Sequence, residues 1–340
     1  MAVQERITHV NKFVNDPSQF VPEMLEGIYL ANPDKLKYLA KYNCIYRADR
    51  PNDDFVSIIQ GSGSGHEPAH VMVVGPGMLD AACPGNVFAA PPAEFPFEVT
   101  KLMNSKKGVL HIVNNYSGDR MVWDMAREMA EAEGMKIGVV LMDDDVAVVN
   151  SAYTVGRRGV AGNFFSIKCC GAANAEGASL EKLVEIGKKV NSQVRTMGVA
   201  ISGCRPPGKD TPIFSCAPGE MEFGVGIHGE KGRRRSELPK ADAVVDELFE
   251  AVAGDLPFEK GDNVGLMING LGGTPPSELF LLYRRAAIRA KDRGLSVVHN
   301  YVGNYCTSLE MAGFSLTLIR LDAELKHLIE APADIPWRVF

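Results

Sequence analysis

The stretch VLHIVNNYSGD, residues 109–119, reads as a strand that runs straight into a polar turn. After it, Met121, Met125, Met129 and Ala132 recur at spacings of three and four, the period of a helix face, as far as Gly134. Residues 137–141 (IGVVL) form the next apolar run and lead into Asp143, Asp144 and Asp145. Before it, residues 56–59 (VSII) are another strand-like run, which ends in the glycine-rich turn 61–65. This strand–helix–strand order predicts an α/β domain with a largely parallel sheet. In such sheets the loops leaving the carboxyl ends of strands form the ligand crevice, which makes both turns candidate site loops.

A further helix opens at Ser179, with Leu180, Leu183, Val184, Gly187, Val190 and Val194 on one face, and is expected to end near Gly198. A domain boundary is placed here. Residues 1–195 would form an N-terminal α/β domain, and 196–340 a smaller α/β domain with a mixed sheet. In the second half, residues 222–228 alternate like a strand, 244–252 read as helix and 264–268 as strand. Pro275 and Pro276 introduce a helix over 277–293, since a helix start tolerates proline. Residues 297–301 and 314–321 are further strands.

The chain of 340 residues has 46% hydrophobic and 23% charged residues, an ordinary globular balance. Thirty-six basic residues against 42 acidic ones give a net charge of −6, which argues against nucleic-acid binding through overall charge. The basic run 231–235 is short and reads as a solvated loop. No stretch approaches the ~20 uninterrupted apolar residues of a membrane helix, and the N-terminus lacks the apolar core of a signal peptide. Seven scattered cysteines without a C-x-x-C pair read as reduced thiols of a cytoplasmic protein.

The densest chemistry lies in GSGSGHEPAH, residues 61–70. Its glycines let backbone N–H groups approach a ligand, and His66 is then held at a strand end. His66 to His70 also spells H-E-x-x-H, the zinc-protease pattern. That chemistry needs both histidines on one face of a continuous helix, which Pro68 and Gly65 oppose, so no metal is assigned. Asp119 suits an N-cap for the following helix, and equally a carboxylate that takes a proton from a substrate hydroxyl; both roles fit the sequence. Asp143, Asp144 and Asp145 read as solvated and stay unassigned. His228, between glycines in GVGIHGE (residues 224–230), reads as a structural residue, as do His9, His111, His299 and His327.

Taken together, these segments resemble the substrate-binding K subunit of the dihydroxyacetone kinase family. The resemblance runs from about residue 14 to residue 336. It rests on the blocks GSGSGHEPAH, GPGMLDAACPGNVFA (75–89), NNYSGD (114–119), DDDVAV (143–148), GRRGVAGN (156–163), GVGIHGE, NGLGGTP (269–275) and GNYCTSLEMAGFSLTL (303–318), in that order.

The resemblance implies that His66 acts in proton transfer and that Asp119 activates the substrate hydroxyl. It implies that a ring nitrogen of His228 adds to a ketone carbon as a hemiaminal, and that Gly63, Ser64 and Gly65 hold the substrate. It also implies a homodimer, no cofactor on this chain, and a separate L subunit carrying ATP or ADP with magnesium as phosphoryl donor. One position departs from the family: Asn114 stands where a ketose-contacting lysine is usual. The loss of that charge and length suits a longer ketose such as erythrulose, or else a non-catalytic ketose sensor; the intact His66 and Asp119 favour the enzyme.

Overall fold

The computed structural model describes residues 12–148 and 156–337, and His9 lies outside them. Two six-stranded sheets carry the fold. The first is built from β1 (Leu36–Leu39), β2 (Cys44–Arg47), β3 (Ser57–Gln60), β4 (Ala81–Ala82), β5 (Val109–Asn114) and β6 (Ile137–Met142), in the order β1-β2-β4-β3-β5-β6. Its β4-β3-β5-β6 part is parallel, and β1 and β2 are added antiparallel. The second contains β7 (Val194–Ala200), β8 (Glu220–Phe223), β9 (Arg234–Glu237), β10 (Asn263–Gly270), β11 (Ser296–Gly303) and β12 (Gly313–Arg320), in the order β11-β10-β12-β7-β8-β9. There only β10 and β11 run parallel. Two α/β units, one largely parallel and one mixed, are therefore present as the sequence predicts.

Eight α-helices cover the sheets: α1 (Phe20–Ala31), α2 (Glu94–Met103), α3 (Ser117–Ala132), α4 (Asn163–Ala175), α5 (Leu180–Gln193), α6 (Ala241–Asp255), α7 (Pro276–Asp292) and α8 (Ala323–Glu330), counted among the described residues. Met103 of α2 and Val122 and Trp123 of α3 share a buried cluster with Ile59 of β3 and Val109 of β5. A second buried cluster joins Phe165 of α4 and Leu183 of α5 to Ile58 of β3 on one side and to Met267 and Ile319 of the second sheet on the other. The α4–α5 pair is thus a layer shared by both sheets. That placement explains the sequence of α4, where the run from Phe165 to Asn174 is buried all round and consists of small and apolar residues except for Lys168, which donates to the Leu328 carbonyl, and Asn174, which bonds the Val56 backbone. The α8 helix packs back on α4, so the C-terminal end of the chain rests against the first half.

Several local expectations change. The division placed at 195/196 falls two residues into β7, the first strand of the second sheet. Val194 fits the helical period of α5 but begins the strand, because the run Val194–Ala200 is better paired along β12. Methionines 121, 125 and 129 are the exposed side of α3, and the buried side is Val122, Trp123, Ala126 and Ala130. The strand expected over 222–228 stops at Phe223, since Gly224 takes φ +85° and turns the chain into a loop. The basic run expected to be a solvated loop is partly β9. Arg234 lies over the Phe223 ring, and Arg233 donates to the carbonyls of Val146 and Ala147.

One contact fixes α3 against the glycine turn: the buried Trp123 donates through Nε1 to the Gly61 carbonyl at 2.7 Å. Trp123→Phe keeps most of the apolar packing and strands that carbonyl. We expect a loss of about 1–3 kcal/mol in urea unfolding; a variant as stable as the parent would show that the bond contributes nothing.

Candidate active site

Strand β3 ends at Gln60 and the glycine turn begins at once. The turn threads closely past residues 85–89. A Cβ on Gly63 would come within 2.7–2.8 Å of the Phe88 and Ala89 backbone, so only glycine fits. Gly65 takes φ +94°, which again favours glycine and lets the chain reverse into His66. Ser64 turns away, donating its hydroxyl to the Gly85 carbonyl at 2.7 Å.

The second half grips this turn through backbone bonds. Asn269, at the end of β10, accepts from the Tyr305 and Cys306 N–H groups and donates to the Cys306 carbonyl. That shapes the loop after β11, whose Thr307 and Leu309 N–H groups donate to the His66 and Gly65 carbonyls at 3.1 and 2.8 Å. The NGLGGTP and GNYCTSLE blocks of the sequence act here as a clamp on GSGSGHE.

His66 is fully buried. Its Nδ1 sits 2.8 Å from the Thr307 carbonyl, and its Nε2 lies 3.0 Å from Nε2 of His228. His70 instead meets Gln60 Oε1 at 2.6 Å. The two histidines of the zinc-like pattern therefore serve different partners, and their segment is a turn rather than an α-helix. His228 stands on the 224–233 loop between β8 and β9. Glu230 holds it twice, accepting from the His228 N–H at 2.9 Å and lying 2.8 Å from Nδ1. Phe88 and Tyr116 pack edge-on against the His228 ring, and Phe88 also stacks on His66.

Asp119 is the third residue of α3, not its N-cap, a place that Tyr116 takes. Its Oδ2 accepts from the Ser62 hydroxyl at 2.7 Å, while Oδ1 is buried without a partner. Burial pushes its carboxyl up to about 7, against the opposing pull of the Ser62 bond and the His228 charge. Burial likewise drives His66 well below the usual histidine range, with the nearby His228 charge adding to it. Burial works to raise Glu230 too. There the His228 charge and hydrogen bond, with Arg158, prevail and bring it down to about 2.

Ser62, Gly63, Phe88, Tyr116, Asp119 and His228 line one cavity of about 560 Å³, which Glu230 also borders. His66 lies directly behind His228. Sequence reasoning overlooked Ser62, Phe88, Tyr116 and Glu230; the i, i+2 pairing of Glu230 with a loop histidine was the signal at hand. Asn114 does not reach the cavity wall: it is buried at the end of β5, with Oδ1 accepting from Asn163. The aspartate triplet is not solvated as expected. Asp144 accepts from the Val160 and Gly162 N–H groups, Asp145 pairs with the buried Arg158, and Asp143 binds Asn191. His111, His299 and His327 have the local partners Thr100, Glu330 and Glu176 expected of structural residues.

The family profile of the Dak1 domain matches residues 26–337. The chain belongs to the Dak1 domain family. This Dak1 chain is 39% identical over 351 residues to the "PEP-dependent dihydroxyacetone kinase, dihydroxyacetone-binding subunit" of Escherichia coli K12, covering 96% of the chain and 98% of that relative. It is 38% identical to the D-erythrulose kinase of Mycolicibacterium smegmatis over 96% of the chain, but spans 56% of that longer protein. Among solved structures, a dihydroxyacetone kinase operon co-activator, Dha-DhaQ, matches with a TM-score of 0.87 at 33% identity, over 92% of this chain and 96% of its own. No helix among the described residues is long and apolar enough to cross a membrane.

The Asp119 carboxyl of the Dak1 site should titrate near pH 7, read as the carboxyl signal lost in Asp119→Asn. Removing the Ser62 hydroxyl by Ser62→Ala takes away a bond to the charged form. The midpoint should then move upward by roughly one pH unit, the equivalent of ~1.4 kcal/mol. An unmoved midpoint would count against the Ser62 contact.

Proposed function

We propose that this chain is the substrate-loading subunit of a ketose kinase. Dihydroxyacetone, or a four-carbon ketose such as erythrulose, enters the cavity and bonds through its carbonyl carbon to Nε2 of His228 as a hemiaminal. Its terminal hydroxyl is presented to Asp119, which takes the proton as the oxygen attacks a phosphoryl group. The observation that carries this reading is the shared wall of one cavity. An imidazole held by a carboxylate and a carboxylate poised near neutrality face the same space.

Covalent attachment has a physical rationale. A three-carbon ketose has six heavy atoms, and the best small ligands gain at most ~1.5 kcal/mol per atom. A bond to the carbonyl adds affinity and rejects polyols that lack one. Tethering also fixes the hydroxyl beside its base, and positioning is most of what phosphoryl transfer requires. Gly63 borders the cavity that would receive such a ligand.

The phosphoryl donor is assigned to a second, nucleotide- and magnesium-carrying subunit. Two observations support that assignment. The relative from Escherichia coli is named as one subunit of a kinase, and the aspartate triplet 143–145 is spent on backbone N–H groups, an arginine and an asparagine. A homodimer is proposed on the family resemblance alone. A second reading, a ketose-sensing co-activator, is favoured by the match to the co-activator structure. It keeps the adduct and predicts no turnover with any partner subunit.

His228→Ala should abolish the mass adduct formed with dihydroxyacetone or erythrulose, and an unchanged adduct would exclude tethering at His228. Asp119→Asn should keep the adduct and lower phosphorylation by roughly 10²–10⁴-fold when the partner subunit is supplied, the usual worth of a general base. Retained turnover would refute its role. Because the base must be ionised, the phosphorylation rate should fall as pH drops through about 7.

A further inference from the structure

A second cavity, of about 550 Å³, shares no lining residue with the one that His228 borders. Three parts of the chain build it: Phe164 and Lys168 of α4, Tyr301 and Tyr305 of β11 and the loop after it, and the closing segment 333–337 with Trp337. That segment is tied to the first half of the chain. The Asp334 N–H donates to the Pro76 carbonyl at 3.0 Å, and the Trp337 N–H to the Met72 carbonyl at 3.3 Å. The four aromatic rings meet edge-on, with centroids 5.0–5.8 Å apart.

Lys168 is the residue out of place in this apolar wall. It is only 7% exposed, and its ammonium donates to the Leu328 carbonyl at 2.7 Å. Leu328 lies in the last turn of α8, where carbonyls lack a helical partner, so the bond serves as a cap. It uses one of three ammonium protons, and no other protein group among the described residues accepts from Lys168. Asp334, the other charged residue of the wall, is engaged by Lys35 at 2.6 and 2.7 Å. Burial holds the lysine below its ordinary range, with Cys169 and Glu176 pulling the other way. Burial also keeps the Tyr301 and Tyr305 phenols protonated, and neither bonds a protein group among the described residues. Unused donors beside apolar rings suit an anionic head on a flat apolar body. One ammonium matches one negative charge; a phosphate dianion would bring a second with nothing opposite it.

We propose that this second cavity binds an aromatic monocarboxylate, its carboxylate on the Lys168 ammonium and its ring among the four aromatic side chains, and that the bound ligand stiffens the loop that grips His66. The second part follows from Tyr305, which lines the cavity while its backbone belongs to the clamp. Its N–H donates to Asn269 Oδ1 at 2.8 Å, and its carbonyl accepts from the Ala69 N–H at 3.3 Å. Two residues on, the Thr307 N–H donates to the His66 carbonyl, and the Thr307 carbonyl meets His66 Nδ1 at 2.8 Å. A ligand that immobilises the Tyr305 ring takes freedom from that segment. By linkage, whatever tightens the segment also favours the ligand. Neither part depends on ketose chemistry at His228.

Calorimetric titration of the whole chain with 2-naphthoate, and with 2-naphthylmethanol as its uncharged counterpart, tests the site. Naphthoate should bind at least roughly tenfold more tightly than the alcohol, the worth of a hydrogen bond to a charged group. Lys168→Met keeps the aliphatic stem and should erase that preference while leaving the alcohol's affinity within about threefold. No binding of naphthoate, equal affinity for the two probes, or a preference that survives Lys168→Met would overturn the proposal. So would naphthoate binding that is lost in His228→Ala and kept in Lys168→Met, since the probe would then occupy the first cavity. Should Lys168→Met fail to fold without its bond to α8, Asn300→Asp replaces it. That position is exposed at the cavity wall, and the added negative charge should weaken naphthoate and spare the alcohol; unchanged naphthoate affinity would count against the site. Hydrogen exchange then reads the loop. The Thr307 and Leu309 amides should exchange more slowly in the naphthoate complex, and unchanged exchange would overturn the coupling to His66.

Discussion

Two imidazoles from different sheets, held 3.0 Å apart, are the contact on which the site depends. Each ring is fixed from behind, His66 by a carbonyl of the second half and His228 by a carboxylate of its own loop. Neither ring could hold its angle if the two sheets moved relative to each other. The α4–α5 layer shared between them, and the clamp from Asn269 through the 305–309 loop onto 65–67, remove that freedom. The precision of the site is thus a property of the joint between the sheets, and the small residues of α4 are part of it because they let both sheets approach one helix.

Burial is what gives these ordinary residues unequal roles. Water would leave Asp119 and Glu230 alike, as ionised carboxylates. In the cavity wall, Asp119 has one hydroxyl partner and rises to about 7, whereas Glu230 has a ring N–H, a backbone N–H and a nearby guanidinium and falls to about 2. Two acids that border the same cavity as His228 are separated into a carboxyl raised to about 7 and one lowered to about 2 by their partners.

The elements of the fold were largely legible, because strand runs such as 109–114 and helices such as 276–292 show clean periodicity in one dimension. Periodicity says less where two physical readings share a pattern. The Met121, Met125 and Met129 stripe has helical spacing, but Trp123 and two alanines pack more closely against the sheet and leave the methionines outside. Val194 satisfies a helical period and a strand alike, and pairing with β12 decides between them. Of the site, His66 and Asp119 could be singled out as residues at strand ends. His228 owed its role to family resemblance, since nothing local marks a ring that meets a partner 162 positions away. Ser62 and Glu230 were visible but had no assigned work, because their function consists in holding another residue.

The path of the chain has a consequence for biosynthesis. Residues 332–334 lie along Gly75 and Gly77 of the first half, so closely that a methyl group at either glycine would strike their backbone. The loop that grips His66 is itself encoded beyond residue 300. A ribosome can release the first sheet early, yet the backbone bonds that hold Gly65 and His66 wait for Thr307 and Leu309, so the glycine turn stays ungripped until nine-tenths of the chain has been made.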